Sequence, residues 1–182
     1  MKIKRLANSE HRRLMEINRE ERVRQAYVVK DGKLEVQEVD WNVPNWPLEG
    51  EDDFSWRGNF ERWEPIFRAG GVLLAALAGE SLVGFAILRP KLTESMAQLA
   101  ELHVGHGYRG QGVGTQLIQE TFRLAKEHCA TDIYVSSIPT KNSVDFYMRH
   151  GFRLAEEVHP ELYELEPEDI HMVKKLLKAK IR

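Results

Sequence analysis

A mixed α/β sheet is the fold class this sequence predicts, and three observations carry the prediction. Strand-length apolar segments are joined by two-residue turn signals, Asp31-Gly32 and Gly79-Glu80, the compact link of an antiparallel hairpin. An amphipathic helical pattern begins at a cluster of five glycines, Gly105, Gly107, Gly110, Gly112 and Gly114. After that helix the pattern alternates strand, helix, strand, and the two regimes together build a mixed sheet.

The elements follow in chain order. Residues 2–6 alternate as a first strand, and Asn8 or Ser9 is placed to cap a helix running to about Val23. Segments 26–30 and 33–41 flank Asp31-Gly32 as a hairpin. Residues 43–53 hold two prolines, Gly50 and an acidic run, and read as a loop. A short helix over 59–69 stops at Gly70-Gly71. Strands at 72–78 and 82–89 form a second hairpin, and 96–104 supplies the next strand. A helix over 112–128, a strand at 133–137 and a helix over 142–150 follow the glycines. Residues 152–158 and 169–177 read as final strands around an acidic, proline-broken connector at 161–168.

Composition bounds the function. The 182 residues, 42% hydrophobic and 30% charged, suit one soluble domain, 1–182, with a full core. A formal charge of −2 and a pI near 6.4 leave no electrostatic footprint for nucleic acid. The longest apolar runs are too short to span a bilayer, and Met1 to Leu6 lacks the apolar core of a signal peptide. Cys129 is the one cysteine, so no disulfide framework exists and a cytoplasmic location is expected. At the end of an amphipathic helix it reads as a buried structural thiol. No His, Cys, Asp or Glu cluster has metal-ligand spacing, so no metal is expected.

The stretch Leu102-His103-Val104-Gly105-His106-Gly107-Tyr108-Arg109-Gly110-Gln111-Gly112-Val113-Gly114-Thr115 carries the chemistry. Glycines let the backbone approach a ligand closely. The first N–H groups of the helix behind them lack intrahelical partners and sit at its positive end, a ready site for phosphate. Gly105-x-Gly107-x-x-Gly110 matches the dinucleotide fingerprint by letter, but the helical pattern starts only near Gly112. The acid that fold needs about 20 residues on, at the end of the next strand, is replaced by Ser137.

Arg109-x-x-Gly112-x-Gly114 is the better match. With Val104, Tyr108-Arg109-Gly110 and, about 30 residues later, Phe146-Tyr147 before Gly151-Phe152, it resembles the GNAT superfamily of acyl-CoA-dependent acyltransferases. The resemblance covers roughly 72–177, and 1–14 more weakly. It implies a largely antiparallel central sheet of about seven strands, helices on both faces, and two central strands that splay apart, here 96–104 and 133–137. Segment 26–55 has no counterpart in the shared motifs and is treated as an insertion. One departure stands out: many members carry Asn seven residues before the Tyr, where this chain has Thr140, with Asn142 two residues on.

The resemblance implies acetyl-CoA as cosubstrate and acetyl transfer to a primary amine by direct attack. The N–H groups of Gly110, Gln111, Gly112, Val113, Gly114 and Thr115 would hold the diphosphate. Arg109 either adds a side-chain contact or is merely solvated, and Asn142 and Thr140 are donors towards the pantetheine arm. By position, the Leu102 N–H would meet the acyl carbonyl as an oxyanion donor, and the backbone of His103 and Val104 would run beside the arm. Tyr147 would protonate the departing thiolate, against the plain alternative of a packed aromatic. Glu101 stands in an otherwise apolar strand, where burial would raise its pKa towards that of a useful base. Strict alternation puts Glu101 and His103 on one face, away from Ala100 and Leu102. His103 is the weaker candidate for the base.

The acceptor is expected to be a small-molecule or peptide amine. Trp41, Trp46, Trp56 and Trp63 cluster with Phe54, Phe60, Asp40, Glu49, Glu51, Asp52 and Asp53, a mixture that suits a cationic amine. Aromatics pinning the segment to the core is the preferred account. A homodimer is admitted. The competing function is a non-catalytic acyl-CoA-binding regulatory or partner module.

Overall fold

Two hairpins and a parallel crossover generate the main sheet. The computed structural model describes residues 1–47 and 55–176. In chain order the elements are β1 (Lys2–Leu6), a 3-10 segment (Asn8–Glu16), β2 (Glu21–Lys30), β3 (Lys33–Val43), α1 (Trp56–Arg68), β4 (Val72–Ala78), β5 (Ser81–Arg89), β6 (Met96–Val104), α2 (Val113–Glu127), β7 (Asp132–Ser137), α3 (Lys141–Arg149), β8 (Arg153–Leu154), α4 (Pro160–Leu165) and β9 (Ile170–Lys175). Seven strands form one sheet in the order β1-β4-β5-β6-β7-β9-β8, while β2 and β3 form a separate ribbon. Only β6 and β7 run parallel.

β4 and β5 are buried along most of their length because helices cover both faces, which is why their sequences are near-continuous hydrophobe rather than alternating. On one face α2 buries Val113, Leu117, Ile118, Leu124 and Ala125, and α3 buries Val144 and Tyr147. On the other, Leu14 and Ile17 join Trp63 and Phe67 of α1 against Phe85 and Ile87.

Several expectations are corrected. The helix expected to reach Val23 is a 3-10 segment ending at Glu16, after which the chain extends at Ile17 (φ −75°, ψ 116°) and β2 begins at Glu21. The charged run 19–22 looks helical, but it offers no apolar stripe, and pairing with β3 around Asp31-Gly32 wins. The strand expected over 152–158 shrinks to Arg153–Leu154. The proline-broken connector contains a helical turn, with Pro160 at its first position, where a missing N–H is harmless. Cys129 is exposed, in the left-handed conformation (φ 64°) that closes α2.

Among the tryptophans, Trp46 (4% exposed) and Trp63 (1%) are core, while Trp41 is exposed on the ribbon. Glu49, Glu51, Asp52, Asp53, Phe54 and the side chain of Trp56 lie outside the described residues. Trp46→Ala is expected to cost about 3–5 kcal/mol, as for a buried Trp truncation, and a melting curve checks it. An unchanged Tm with a raised acceptor KM would instead place Trp46 in the acceptor pocket.

Candidate active site

The site begins where the sheet opens. Met96, Ala97 and Gln98 pair with Asp132, Ile133 and Tyr134, and the pairing stops there. β6 continues to ladder with β5 as far as Val104 opposite Gly84, so its β7-facing edge is left without a strand partner. The gap opens into a cavity of about 610 Å³ with Leu102, His103 and Val104 on one wall and Ile138, Thr140, Asn142 and Tyr147 on the other.

The glycine loop forms the mouth. Gly110 (φ 73°) and Gly112 (φ 81°) take left-handed conformations, and Gly112 stands immediately before α2. A Cβ on Gly112 would meet nothing within 4 Å, so a side chain there is opposed by backbone strain rather than crowding. Gly114 is different: a Cβ would come 3.1 Å from the Phe146 ring, so glycine lets α2 close on α3. Gly110, Gly112, Val113, Gly114 and Thr115 line the cavity, with the unpaired N–H groups of the α2 N-terminus among them, a fit for a diphosphate. The Gln111 side chain turns away, donating to the Gly107 carbonyl at 2.9 Å. Thr115→Glu keeps a residue favoured in a first helical turn and brings negative charge to the cradle. It is expected to raise the dissociation constant for acetyl-CoA ~10–100-fold through charge repulsion, as measured by calorimetry.

Arg109 is exposed to solvent but not free. It donates to the Val104 carbonyl (3.2 Å), the Arg19 carbonyl (3.2 Å) and the Glu21 carboxylate (2.8 Å). Asn142 donates to the other Glu21 oxygen at 3.1 Å. Thr140 is buried and caps α3, accepting from the Ser143 N–H.

On the opposite face of the sheet, a bulge in β6 places Ile87 opposite Glu101 and Leu88 opposite Leu99. Strict alternation therefore fails: Ala100 packs with the Trp63–Phe85 cluster, on the same side as Glu101, and only Leu102 points to the other core. Glu101 accepts from Trp63 Nε1 (2.9 Å) and Arg62 (3.1 Å), and its second oxygen meets His103 Nε2 at 2.9 Å. His103 in turn stacks on Phe85 and abuts Trp46. Burial pushes the Glu101 carboxyl up, but the His103 hydrogen bond, the Arg62 charge and the Trp63 hydrogen bond outweigh it and hold it down at about 2. The expected rise is reversed, because sequence shows the apolar strand and not the three donors around it.

Tyr147 is 7% exposed, packed edge-on against Phe152 and Phe146, and its hydroxyl makes no hydrogen bond among the described residues. Burial, then the charges of Glu101 and Asp169, push the phenol well above its usual range. Asp169 is a residue the sequence reading missed. It stands just before Ile170, which pairs with Ser137 at the open end of β7. Burial and the charges of Glu166 and Glu101 push its carboxyl up to about 7, against the pull of Arg62. Glu21 was missed too, inside a segment read as helix. Neither carries a local motif; each acquires its place through long-range pairing. Among the described residues no group of three or more His, Cys, Asp or Glu could hold a metal ion.

The splayed sheet and the glycine mouth suit an acyl-CoA cosubstrate. The acetyltransferase (GNAT) family model matches residues 35–152, and the chain belongs to that family. N-alpha-acetyltransferase 50 of Danio rerio is 23% identical over 125 residues, 66% of this chain and 74% of that protein. Two solved structures share the fold along nearly the whole length. Nourseothricin acetyltransferase has a TM-score of 0.71 at 14% identity, covering 97% of this chain and 98% of its own. A putative streptothricin acetyltransferase from Bacillus anthracis, in complex with acetyl coenzyme A, has a TM-score of 0.69 at 19% identity, covering 96% and 97%. The expected sheet of about seven strands, with helices on both faces, is the fold observed. No helix among the described residues is long and apolar enough to cross a membrane.

Proposed function

We propose that this protein moves an acetyl group from acetyl-CoA to a primary amine by direct attack, with no covalent enzyme intermediate. The observation that carries the reading is the Tyr147 hydroxyl. It lies in the gap between β6 and β7 without a hydrogen-bond partner among the described residues, beside a glycine mouth suited to a diphosphate. The hydroxyl is not among the buried polar atoms left without a partner, so it opens to the cleft, where a donor to the departing sulfur has a use that ring packing alone does not supply.

In this reading the α2 N-terminus holds the diphosphate, and the open edge of β6 at Leu102 and Val104 receives the acyl carbonyl and the amides of the arm. Glu101, ionised at any working pH, holds the incoming ammonium or a water rather than taking its proton. Asp169, next to the open end of β7 and with its carboxyl pushed up to about 7 by burial and the neighbouring carboxylates, removes that proton in this reading. The neutral amine attacks the thioester carbon, the C–N bond forms and the C–S bond breaks. Tyr147 then donates to the sulfur, while the second amine proton leaves the nitrogen to restore the phenol. The chain acts as one domain with the β2–β3 ribbon as its insertion, in the cytoplasm, on a small-molecule or peptide amine. The name of one relative, N-alpha-acetyltransferase 50, is in keeping with an amine acceptor.

Thermal-shift screening with acetyl-CoA, CoA and NADPH tests the donor, since a ligand held only by the folded state raises Tm. Thiol release over a panel of amines then tests the reaction. Stabilisation by acetyl-CoA without release on any amine would favour a binding module, and stabilisation by NADPH alone would overturn the cosubstrate.

A further inference from the structure

Beyond Gln98 and Tyr134 the main sheet no longer joins the two walls of the cleft; β2 does. Its approach is sewn to the wall formed by β6 and the glycine loop: the His106 N–H donates to the Asn18 carbonyl at 2.8 Å, and Arg109 donates to the Arg19 carbonyl at 3.2 Å. Its middle is sewn to the wall formed by β7 and α3. The Tyr27 N–H donates to the Pro139 carbonyl at 2.8 Å, Ala26 bridges to Thr140, and the Tyr27 hydroxyl donates to Asp145 at 2.9 Å. Glu21 sits at the crossing. One carboxylate oxygen takes Arg109 of the first wall at 2.8 Å, the other takes Asn142 of the second at 3.1 Å. Glu21, Arg109 and Asn142 all line the cavity.

We propose that Glu21 is a positioning residue, a clasp that fastens β2 across the cleft and sets how slowly the bound cosubstrate leaves. The proposal rests on reading the cavity as the acetyl-CoA cleft. Two walls separated by an open gap can breathe unless something spans them, and a single carboxylate bonded to both walls is a direct span. The Arg109–Glu21 pair is half-shielded, at 36% and 20% side-chain exposure, and charge-assisted on the Arg109 side, so it outlasts a neutral surface contact. Arg109, with three acceptors engaged, then serves the cosubstrate by holding the strap.

Affinity changes at one site appear mostly in the dissociation rate. Stopped-flow measurement of acetyl-CoA release from the full chain, by displacement with excess CoA, tests the clasp. Glu21→Ala is expected to speed release about 10-fold, with a much smaller change in the association rate. Glu21→Gln falls between, because its amide oxygen still accepts from Asn142 while Arg109 loses the negative charge and the acceptor that faced it. Tyr27→Phe, which loosens the other end of the strap, shifts release in the same direction. A purely structural role would lower Tm and the bound amplitude without altering release from the loaded, folded population. Unchanged release in folded Glu21→Ala overturns the clasp, as does tighter binding with faster association, which would make β2 an obstacle. If Glu21→Ala does not fold, unchanged release in both Glu21→Gln and Tyr27→Phe overturns it. A parent protein that binds no acetyl-CoA overturns the cosubstrate reading itself, and the clasp with it.

Discussion

Tyr147→Phe lowers the turnover number by ~10²–10³, the lower part of the range for a positioned acid, and leaves acetyl-CoA affinity and Tm near the parent's. The ring keeps its contacts with Phe146 and Phe152, so packing is preserved and a single oxygen is removed. Two physical features place the effect at the low end. A thiolate is already a fair leaving group, with a thiol pKa of ~8.5. The phenol, pushed upwards by burial and by the carboxylates around it, stays protonated at every working pH but is a weak acid. In the proposed reaction it contributes by hydrogen-bonding the sulfur as charge develops, with the proton passing as the C–S bond breaks. Steady-state kinetics on a good acceptor, beside a binding isotherm for acetyl-CoA, is the measurement. Turnover equal to the parent's would make Tyr147 a packing residue.

Asp169→Asn has effects of opposite sign on activity and stability. If Asp169 takes the amine proton as proposed, its loss is expected to lower kcat/KM by ~10² or more at pH 8. The parent's rise in kcat/KM through pH about 7 disappears with it. The groups facing Asp169 account for that value: Glu166 and Glu101 raise it and Arg62 lowers it. The Asp169 charge in turn helps to raise Tyr147. Because the folded carboxyl titrates above its ordinary 3.8, the folded state binds the extra proton between 3.8 and about 7, and stability falls as pH rises through that window. Asn removes this penalty. The variant should therefore be more stable than the parent above pH 7, by on the order of 2 kcal/mol after allowance for solvent screening, and equal to it near pH 3. Chemical denaturation at several pH values reads this out. A variant of unchanged stability at pH 8 with full activity would remove Asp169 from the mechanism. Glu101 titrates in the opposite sense: held at about 2, it contributes stability that is present above its ordinary 4.5 and is lost as pH falls from there towards 2.

Much of the fold and the cradle was legible because both are written in local pattern. The bounds of β4 and β6 could be read to the residue from apolar length and turn signals. The mouth of the cleft could be read because a left-handed residue before a helix calls for glycine, and Gly112 supplies it. The position of Tyr147 followed from the family resemblance, carried by the Arg109-to-Gly114 loop and, about 30 residues on, Phe146-Tyr147 before Gly151-Phe152. The limits of that reading are equally specific. Residues 19–22 look helical by charge and composition, yet they lead into a strand that starts at Glu21, because β3 offers a pairing partner that no local window contains.

The sequence by itself determined the strand and helix segments, their order along the chain and the glycine mouth, since 2.0- and 3.6-residue periods and turn chemistry act over a few neighbouring residues; the splayed sheet and the phenol at its inner end came from the resemblance to the GNAT superfamily. Only the tertiary structure decided what surrounds each charge. The bulge between Leu99 and Glu101 turned Glu101 towards Arg62, Trp63 and His103 and made a strong acid of an expected base. The β9 pairing carried Asp169 to the end of the splay, and β2 brought Glu21 across 88 residues of chain to Arg109. Protonation state and hydrogen-bond partnership depend on burial and on groups distant in sequence, so no local pattern could have held them.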